Sequence, residues 1–463
     1  MSAVLTNIPL TPFELPACDP YRLLIFDRSG TQVLLSNKGG NLALPAVEIP
    51  KFTRVLERIT SHARQIWGLT TFLLFSDFTP ENSGIVYVAL EVWRESARSA
   101  ELEWHSVHNA RCLLTDIEHL NAFDELHSRA TQDRSAAGPF SGLGWVYKTL
   151  DWIRQASNAV QVIDLLHLSG SDTTCLLRID LPSKSLWYKA VGNGTPRDFT
   201  NSVFLAKCLP DYIPPLLAAD STLNALLMES GGEQTLRERR DFDSWAGVAA
   251  RLADMQIESI FHASEFVNSG CIDLRIPALQ APLNQFFEFM GELMQQQEKQ
   301  VPAPLNREEV AQVAEAVAQA LIELSEIGLP YVIGHSDFNP GNILQKNDQS
   351  VFVDWEAAHV GSPVLTIEYL VAHFRKNCAP LPGQEFMLRQ VFWDEWHSII
   401  SESGIRRIRE IAPLIAVYAS AIASGSWRDS SRLARPGVPG YLRSLGRLMQ
   451  RESQALHQRR SCA

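Results

Sequence analysis

Residues 331–344 have the sequence YVIGHSDFNPGNIL, and residues 351–356 follow with VFVDWE. An apolar run leads into a polar loop, and two further apolar runs flank a polar turn. This pattern predicts a buried strand, a loop and a β-hairpin with strands at 343–345 and 351–353. The alternative is an ordinary hairpin with a polar loop and no chemical role.

Three polar side chains lie at the ends of these predicted elements. Asp337 and Asn342 are five residues apart, in a loop made rigid by Pro340 and open by Gly341. The hairpin brings Asp354 back beside Asn342. Phosphoryl transfer to a hydroxyl needs a carboxylate that accepts the proton and oxygen ligands that hold magnesium. Because Mg²⁺ prefers a few protein oxygens together with phosphate and water oxygens, this set suits it.

The same residues resemble the HGDxxxxN…D signature of the aminoglycoside phosphotransferase and choline kinase family, which is related to the protein kinases. Ser336 stands where the family usually has glycine. The resemblance implies that Asp337 is the catalytic base and that Asn342 and Asp354 bind magnesium. It also implies that His335 supports the catalytic loop.

The residues after Asp354 resemble the family as well. Glu356 completes an Asp-Trp-Glu variant of the metal motif, where it would either assist metal or substrate binding or form a salt bridge. Residues 361–363, Gly-Ser-Pro, match the following segment. That segment usually continues to an Asp-Leu pair, and this chain has Thr366-Ile367 instead. The departure concerns the support of the loop and leaves the chemistry intact.

Upstream, a kinase needs a cation on the ATP phosphates, and Lys189 lies in an otherwise apolar strand. An unpaired ammonium there would be costly, so it is either an ATP ligand or a lysine on an exposed edge. The segment 187–191 resembles the strand that supplies the family's lysine. The helix after 197 resembles its partner helix, with Asp198 in place of the usual glutamate.

Two more segments resemble parts of a nucleotide site. The turn 169–172, which begins at Ser169, would lie over the phosphates, although it has no GxGxxG pattern. The run 226–229 resembles the hinge whose backbone grips adenine, and it contains Met228. A buried edge strand is the alternative for this run.

The first 156 residues predict a separate α+β domain, joined to the rest by a connector at 128–144 rich in Ser, Ala, Gly and Pro. Its arrangement of a strand, Leu44-Pro45, a predicted helix at 52–68 and Gly68-Leu69 resembles a Nudix domain. The positions that would hold the Nudix arginine and glutamates are occupied by Ser61, His62, Gln65 and Ile66. We therefore expect no pyrophosphohydrolase activity, and an unrelated α+β domain is the alternative.

The composition excludes several classes of protein. A formal net charge of -11 argues against a nucleic-acid binder. Seven scattered cysteines without a CxxC pair argue against a disulfide framework or a structural zinc site. The N-terminus has no signal-peptide pattern, and no apolar run is long enough to span a bilayer. We expect a cytoplasmic protein that does not interact with membranes.

Together these observations predict an α+β protein with a bilobal kinase-like fold. The predicted domains are an N-terminal domain at 1–156, a small lobe at 157–232, and a large, mainly helical lobe at 233–463 with its catalytic loop at 331–356. The expected activity is ATP- and Mg-dependent phosphorylation of a hydroxyl on a small molecule similar to an aminoglycoside, choline or a sugar. The alternatives are a catalytically weak pseudokinase that acts as a nucleotide-binding or scaffold protein, and a bifunctional enzyme with a working Nudix half.

Overall fold

The computed structural model describes residues 18–51, 53–78, 84–131, 138–158, 161–192, 196–299, 301–346 and 349–461. Phe52, residues 132–137 of the predicted connector, and residues 347–348 of the predicted hairpin turn lie outside these ranges. The chain divides into two compact units. The first comprises Met1–Gly194 and Leu217–Met228, and the second Thr195–Leu216 and Glu229–Ala463. The predicted boundaries at 156 and 232 stay predictions.

In its described residues, the first unit contains two β-sheets and four helices. Its strands are β1 (Cys18–Phe26), β2 (Gln32–Lys38), β3 (Asn41–Ala43), β4 (Ala46–Pro50), β5 (Leu69–Phe78), β6 (Val86–Glu95), β7 (Leu102–Ser106), β8 (Asp164–Gly170), β9 (Cys175–Asp180), β10 (Ser185–Ala190), β11 (Leu216–Asp220) and β12 (Ala225–Glu229). Its helices are α1 (Val55–Trp67), α2 (Val107–Leu113), α3 (Ile117–Thr131) and α4 (Trp145–Ser157).

Seven strands form the first sheet, in the order β3-β2-β1-β6-β5, with β4 also paired to β1 and β7 to β2. The central pair β1 and β6 is parallel, and both strands are buried along most of their length, as expected for strands covered on both faces. Helix α1 turns one apolar side inward and ends at Gly68, whose φ of 67° suits a residue without a Cβ. A Cβ there would lie 2.3 Å from the carbonyl oxygen of Ala97.

The second sheet has the order β11-β12-β10-β9-β8 and shares a hydrophobic core with the first. Leu24 and Phe72 of the first sheet belong to the same buried cluster as Leu177 and Tyr188 of the second. Trp145 of α4 is also part of this cluster, and its indole N–H donates to the Leu73 carbonyl at 3.0 Å.

A buried carboxyl group lies in the first sheet of this unit. Glu91 of β6 is fully buried, and its Oε2 accepts the Gly144 N–H at 2.7 Å. Its Oε1 has no hydrogen-bond partner among the residues that the structure describes. Burial raises the pKa of Glu91 to about 7 because an ionised carboxylate is costly where water is excluded.

Glu91→Gln is therefore expected to remove a pH dependence of stability. Between the ordinary glutamate pKa and about 7, the folded state binds more protons at this site than the unfolded state, so stability falls as pH rises. The loss amounts to at most about 3 kcal/mol across that window. Urea unfolding from about pH 5 to pH 8 measures it. An unchanged slope in Glu91→Gln, relative to the exposed control Glu101→Gln, would contradict the assignment.

The second unit is mainly helical. Its helices are α5 (Arg197–Cys208), α6 (Phe242–Ser259), α7 (Ala263–Asn268), α8 (Ile276–Gln280), α9 (Leu283–Gln295), α10 (Arg307–Ile327), α11 (Val364–Cys378), α12 (Gln384–Asp394), α13 (Glu402–Ser424), α14 (Ser430–Leu433) and α15 (Val438–Ser461). Its strands are β13 (Gln234–Thr235), β14 (Ile272–Leu274), β15 (Val332–His335), β16 (Ile343–Lys346), β17 (Gln349–Phe352) and β18 (Ala358–Gly361).

The strands of this unit form two small sheets, β13-β16-β17 and β14-β18-β15. Strand β15 is fully buried and pairs antiparallel with β18, which fixes the start of the loop after His335. The predicted hairpin is present as β16 and β17. The predicted α+β class, with β-rich and helical parts, is confirmed. In the described part of the chain, no helix is long and apolar enough to cross a membrane.

Candidate active site

The loop between β15 and β16 surrounds the Asp337 carboxylate with donors. Oδ1 accepts hydrogen bonds from the Tyr369 hydroxyl and from the Asn339 side-chain amide, both at 3.1 Å. Oδ2 has one longer contact, 3.4 Å from the Asn342 amide nitrogen. One oxygen of Asp337 is therefore held by two donors, and the other is only weakly engaged.

His335 braces this loop against the segment that precedes Asp354. Its Nδ1 accepts the backbone N–H of Asp337 at 3.1 Å, so Nδ1 carries no proton. Its Nε2 lies 3.2 Å from the Val353 carbonyl, which can only accept, so Nε2 carries the proton. Burial lowers the pKa of His335, which keeps the ring neutral. The imidazole thus links Asp337 to Val353 through both of its ring nitrogens. Neither nitrogen is therefore available as a catalytic base.

The support of the loop from helix α11 comes through Thr366. The backbone N–H of His335 donates to the Thr366 hydroxyl at 3.0 Å, and Thr366 is fully buried. This is the position where the sequence departs from the usual Asp-Leu pair. Glu368, two residues further, forms a two-point ion pair with Arg389, at 2.7 and 2.6 Å. Thr366, at the departure from the family pattern, therefore supplies its own hydrogen bond to the loop.

The Asn342 side chain is oriented by the loop itself. Its amide nitrogen donates to the Asp337 carbonyl at 3.0 Å, which turns its Oδ1 away from Asp337. No residue that the structure describes donates to this Oδ1. The Asn342 carbonyl accepts the Val353 N–H at 3.0 Å, so the residue before Asp354 is paired to Asn342 itself.

Asp354 has a left-handed backbone, with φ 69° and ψ 57°, and an exposed side chain. Non-glycine residues seldom adopt this conformation, and strain of this kind is found at functional sites. A short 3-10 helix, Trp355–Ala357, follows directly and carries the exposed Glu356. Within the described ranges there is no cluster of three or more His, Cys, Asp or Glu side chains able to hold a metal. An asparagine and an aspartate with phosphate and water oxygens fit Mg²⁺ without one.

Helix α5 packs against the segment after Asp354. The Asn201 amide donates to the Trp355 carbonyl at 2.8 Å, and both residues are buried. Asp198, one turn earlier on α5, is 2% exposed. Asn201, Thr366 and Tyr369 were not among the predicted site residues. Asn201 shares the buried side of α5 with Asp198, Ser202 and Leu205, and the sequence signal for Thr366 was its departure from the family pattern.

The remaining predicted residues belong to the first unit. Lys189 is half-buried on β10, with the fully buried Tyr188 and Ala190 on either side. Met228 is half-buried on β12. Ser169 is exposed and lies within β8, because this strand extends to Gly170 and the turn that follows is closed by the Ser171 N–H on the Thr174 carbonyl. The nucleotide-binding roles of these residues stay predictions.

A cavity of about 810 Å³ lies within the second unit and is close to Asp337 through Tyr369. Helices α11, α12, α13 and α15 form its walls. Tyr369 lines it and also bonds Asp337 through its hydroxyl. The volume lies in the usual range for small-molecule sites.

The comparisons with known proteins agree with the site. Residues 204–389 match the phosphotransferase enzyme family, a range that includes the catalytic loop and Asp354 but not Lys189 or Asp198. No curated protein matches the chain.

Three solved structures illustrate the likeness. A choline kinase from Streptococcus pneumoniae is 17% identical, with 67% of this chain and 99% of that chain covered and a TM-score of 0.41. An ethanolamine kinase from Plasmodium vivax is 11% identical, with coverages of 74% and 96% and a TM-score of 0.46. A putative aminoglycoside phosphotransferase from Ralstonia eutropha is 11% identical, with coverages of 67% and 98% and a TM-score of 0.41.

The family match includes the motif at residues 335–354, which confirms the predicted resemblance to a family of phosphotransferases. The similarity to the phosphotransferase enzyme family covers residues 204–389, which is less than half of the chain.

Proposed function

We propose that this protein transfers the γ-phosphate of ATP to a hydroxyl group of a small molecule in a magnesium-dependent reaction. The observation that carries the proposal is the Asp337 carboxylate, which is held by Tyr369, Asn339 and Asn342 beside a cavity large enough for an acceptor. A module that only binds nucleotides has no need of such a base. This arrangement therefore favours a kinase over a pseudokinase.

In the proposed reaction, Asp337 orients the acceptor hydroxyl through Oδ2, the oxygen with only one long contact. The hydroxyl oxygen forms a bond to the γ-phosphorus as the bond to the leaving β-phosphate oxygen breaks, and Oδ2 receives the hydroxyl proton. The two donors on Oδ1 hold the plane of the carboxylate and limit its rotation. Such positioning supplies most of the catalysis in phosphoryl transfer.

Asn342 Oδ1 and the Asp354 carboxylate would hold magnesium, with Glu356 as a further candidate ligand. The bound ion would neutralise charge on the phosphates. Neutral His335 holds Asp337 and Val353 in place through its two hydrogen bonds. We propose Lys189 and Asp198 as the phosphate cation and its helix partner, and Met228 and Ser169 as nucleotide-binding positions.

The test is magnesium-dependent ADP formation by the purified protein with aminoglycosides, choline, amino sugars and hydroxy-amino acids as acceptors. Turnover with one class of acceptor, abolished by chelation of magnesium, supports a kinase. ATP binding without phosphate transfer to any acceptor, or to water, would favour the pseudokinase. Absence of ATP binding would contradict both.

Tyr369→Phe is expected to lower kcat about tenfold, because it removes one charge-assisted hydrogen bond from Asp337 Oδ1. The KM for ATP should not change. Initial rates at varied ATP and acceptor separate the two effects. Tyr331→Phe is the control, since the Tyr331 hydroxyl has no hydrogen-bond partner among the described residues. Equal kcat in wild type and Tyr369→Phe would mean that Asp337 is positioned without this tyrosine.

A further inference from the structure

The walls of the cavity beside Asp337 carry charged side chains of both signs. Its lining includes five glutamates and five arginines. Two of these glutamates are neutralised within the lining. Glu368 pairs with Arg389 at 2.6 Å, and Glu385 pairs with Arg375 at 2.5 Å.

The other three glutamates differ in their surroundings. Glu410 lies 3.8 Å from Arg460, which is outside the lining. Glu402 is 58% exposed and lies 3.7 Å from His397. Glu452 is the one lining carboxylate without an ion-pair partner among the described residues.

The three remaining arginines, Arg406, Arg409 and Arg459, have no carboxylate within ion-pair distance in the described part of the chain. Arg459 donates to the backbone carbonyl of Glu410 at 3.2 Å. Three guanidinium groups of the lining therefore have no ion-pair partner, although the lining has equal numbers of arginines and glutamates. An occupant with an anionic group could pair with these arginines.

Arg409 is the member of this set whose hydrogen bonding is incomplete. Its guanidinium donates to the neutral Gln390 side chain at 2.8 Å and lies 5.3 Å from the centre of the Phe386 ring. Its Nε is buried and has no acceptor among the described residues. Burial lowers the pKa of Arg409, and the carboxylates of Glu402 and Asp394 offset this effect only in part. A buried donor without an acceptor is costly, and a ligand oxygen would remove that cost.

Arg406 lies three residues before Arg409 on α13, so both side chains leave the same side of the helix. Two guanidinium groups at this spacing can contact one carboxylate or phosphate group, for which arginine has matching planar donors. The apolar part of the lining includes Val417, Leu445 and Leu448.

We propose that the acceptor carries an anionic group, a carboxylate or a phosphate ester, that binds Arg406 and Arg409 while an apolar body fills the cavity and a hydroxyl reaches Asp337. The identification of the occupant as the acceptor rests on the proposed function. Anion binding by the two arginines can be measured without any transfer of phosphate. The two claims can therefore fail separately.

The experiment uses four probes with one apolar chain and one terminal hydroxyl, which end in a carboxylate, a phosphate monoester, a primary amide or a trimethylammonium group. Binding is measured by calorimetry, and phosphate transfer by ADP formation. The carboxylate or the phosphate ester should bind about 10- to 100-fold more tightly than the amide. Whichever of these two probes binds more tightly identifies the anionic group of the acceptor.

Arg409→Gln and Arg406→Gln should each remove most of this preference and leave the binding of the amide unchanged. Arg432→Gln, an exposed change outside the cavity, is the charge-matched control. Equal binding of all four probes, preference for the trimethylammonium probe, or no binding of any probe would overturn the inference. A preference for an anion without transfer, in a protein that forms no ADP with any acceptor, would overturn the proposed kinase activity and leave the anion site in place.

Discussion

Asp337→Asn is expected to lower the rate of phosphate transfer about 10²- to 10⁴-fold, which is the usual contribution of a positioned general base. Asparagine has the same shape and can still accept the hydrogen bonds of Tyr369 and Asn339 through its oxygen. Its amide nitrogen replaces Oδ2 and cannot take the proton of the acceptor. The loss should therefore fall on kcat, with little change in the affinity for ATP.

Single-turnover and steady-state rates, with ATP affinity measured by titration, separate chemistry from binding. Asp243→Asn, an exposed change in the first turn of α6, is the matched control. Thermal unfolding checks that both variants are folded. A rate within a few-fold of wild type in Asp337→Asn would show that the base is another residue and would remove the main support for the proposed mechanism.

The spacing of the catalytic loop could be predicted from the sequence because its geometry is local. Asp337 and Asn342 are joined by a loop of four residues, and the β16–β17 hairpin fixes the position of Asp354 through backbone pairing alone. Turn residues and alternating apolar residues encode such features directly.

The groups that hold the loop could not be predicted in the same way. Thr366 and Tyr369 lie about thirty residues after the loop on α11, and Asn201 lies more than a hundred residues before it on α5. Their roles depend on how these helices pack, which local patterns do not specify. Thr366 is an example. The sequence shows only that this residue departs from the family pattern, whereas the structure shows that its hydroxyl accepts the His335 N–H and so supports the loop.

The first unit shows a second limit of sequence patterns. The segment 187–191 was predicted to be a strand, and β10 lies there. The local sequence does not tell which other residues cover this strand. Leu177 and Tyr188 belong to the same buried cluster as Leu24, Phe72 and Trp145. The Nudix resemblance of the first 156 residues stays a prediction.

Removal of residues 1–156 is expected to prevent folding of the β8–β12 sheet. Leu165, Leu177 and Leu186 are fully buried and Tyr188 is 1% exposed, in a cluster that includes many residues before 156. Each such side chain loses about 1.5–3 kcal/mol when it becomes exposed. Their sum is comparable to the whole stability of a domain, about 5–15 kcal/mol.

Polar contacts also make the β8–β12 sheet dependent on the first 156 residues. Arg64 of α1 forms a two-point ion pair with Asp164 of β8, at 2.5 and 2.6 Å. The backbone N–H of Leu73 donates to Nδ1 of the buried His167 at 3.2 Å. Without the first 156 residues, His167 would lose this donor, and Asp164 would lose its cation.

The truncated protein 157–463 should therefore aggregate or show loss of β-structure by circular dichroism, and it should not bind ATP. A single substitution tests the same core within the intact chain. Trp145→Ala should destabilise the protein by about 3–5 kcal/mol because it leaves a large cavity. Lys148→Ala, exposed on the same helix, should have little effect. A soluble fragment 157–463 that binds ATP with wild-type affinity would show instead that the second sheet folds independently of the residues that now cover it.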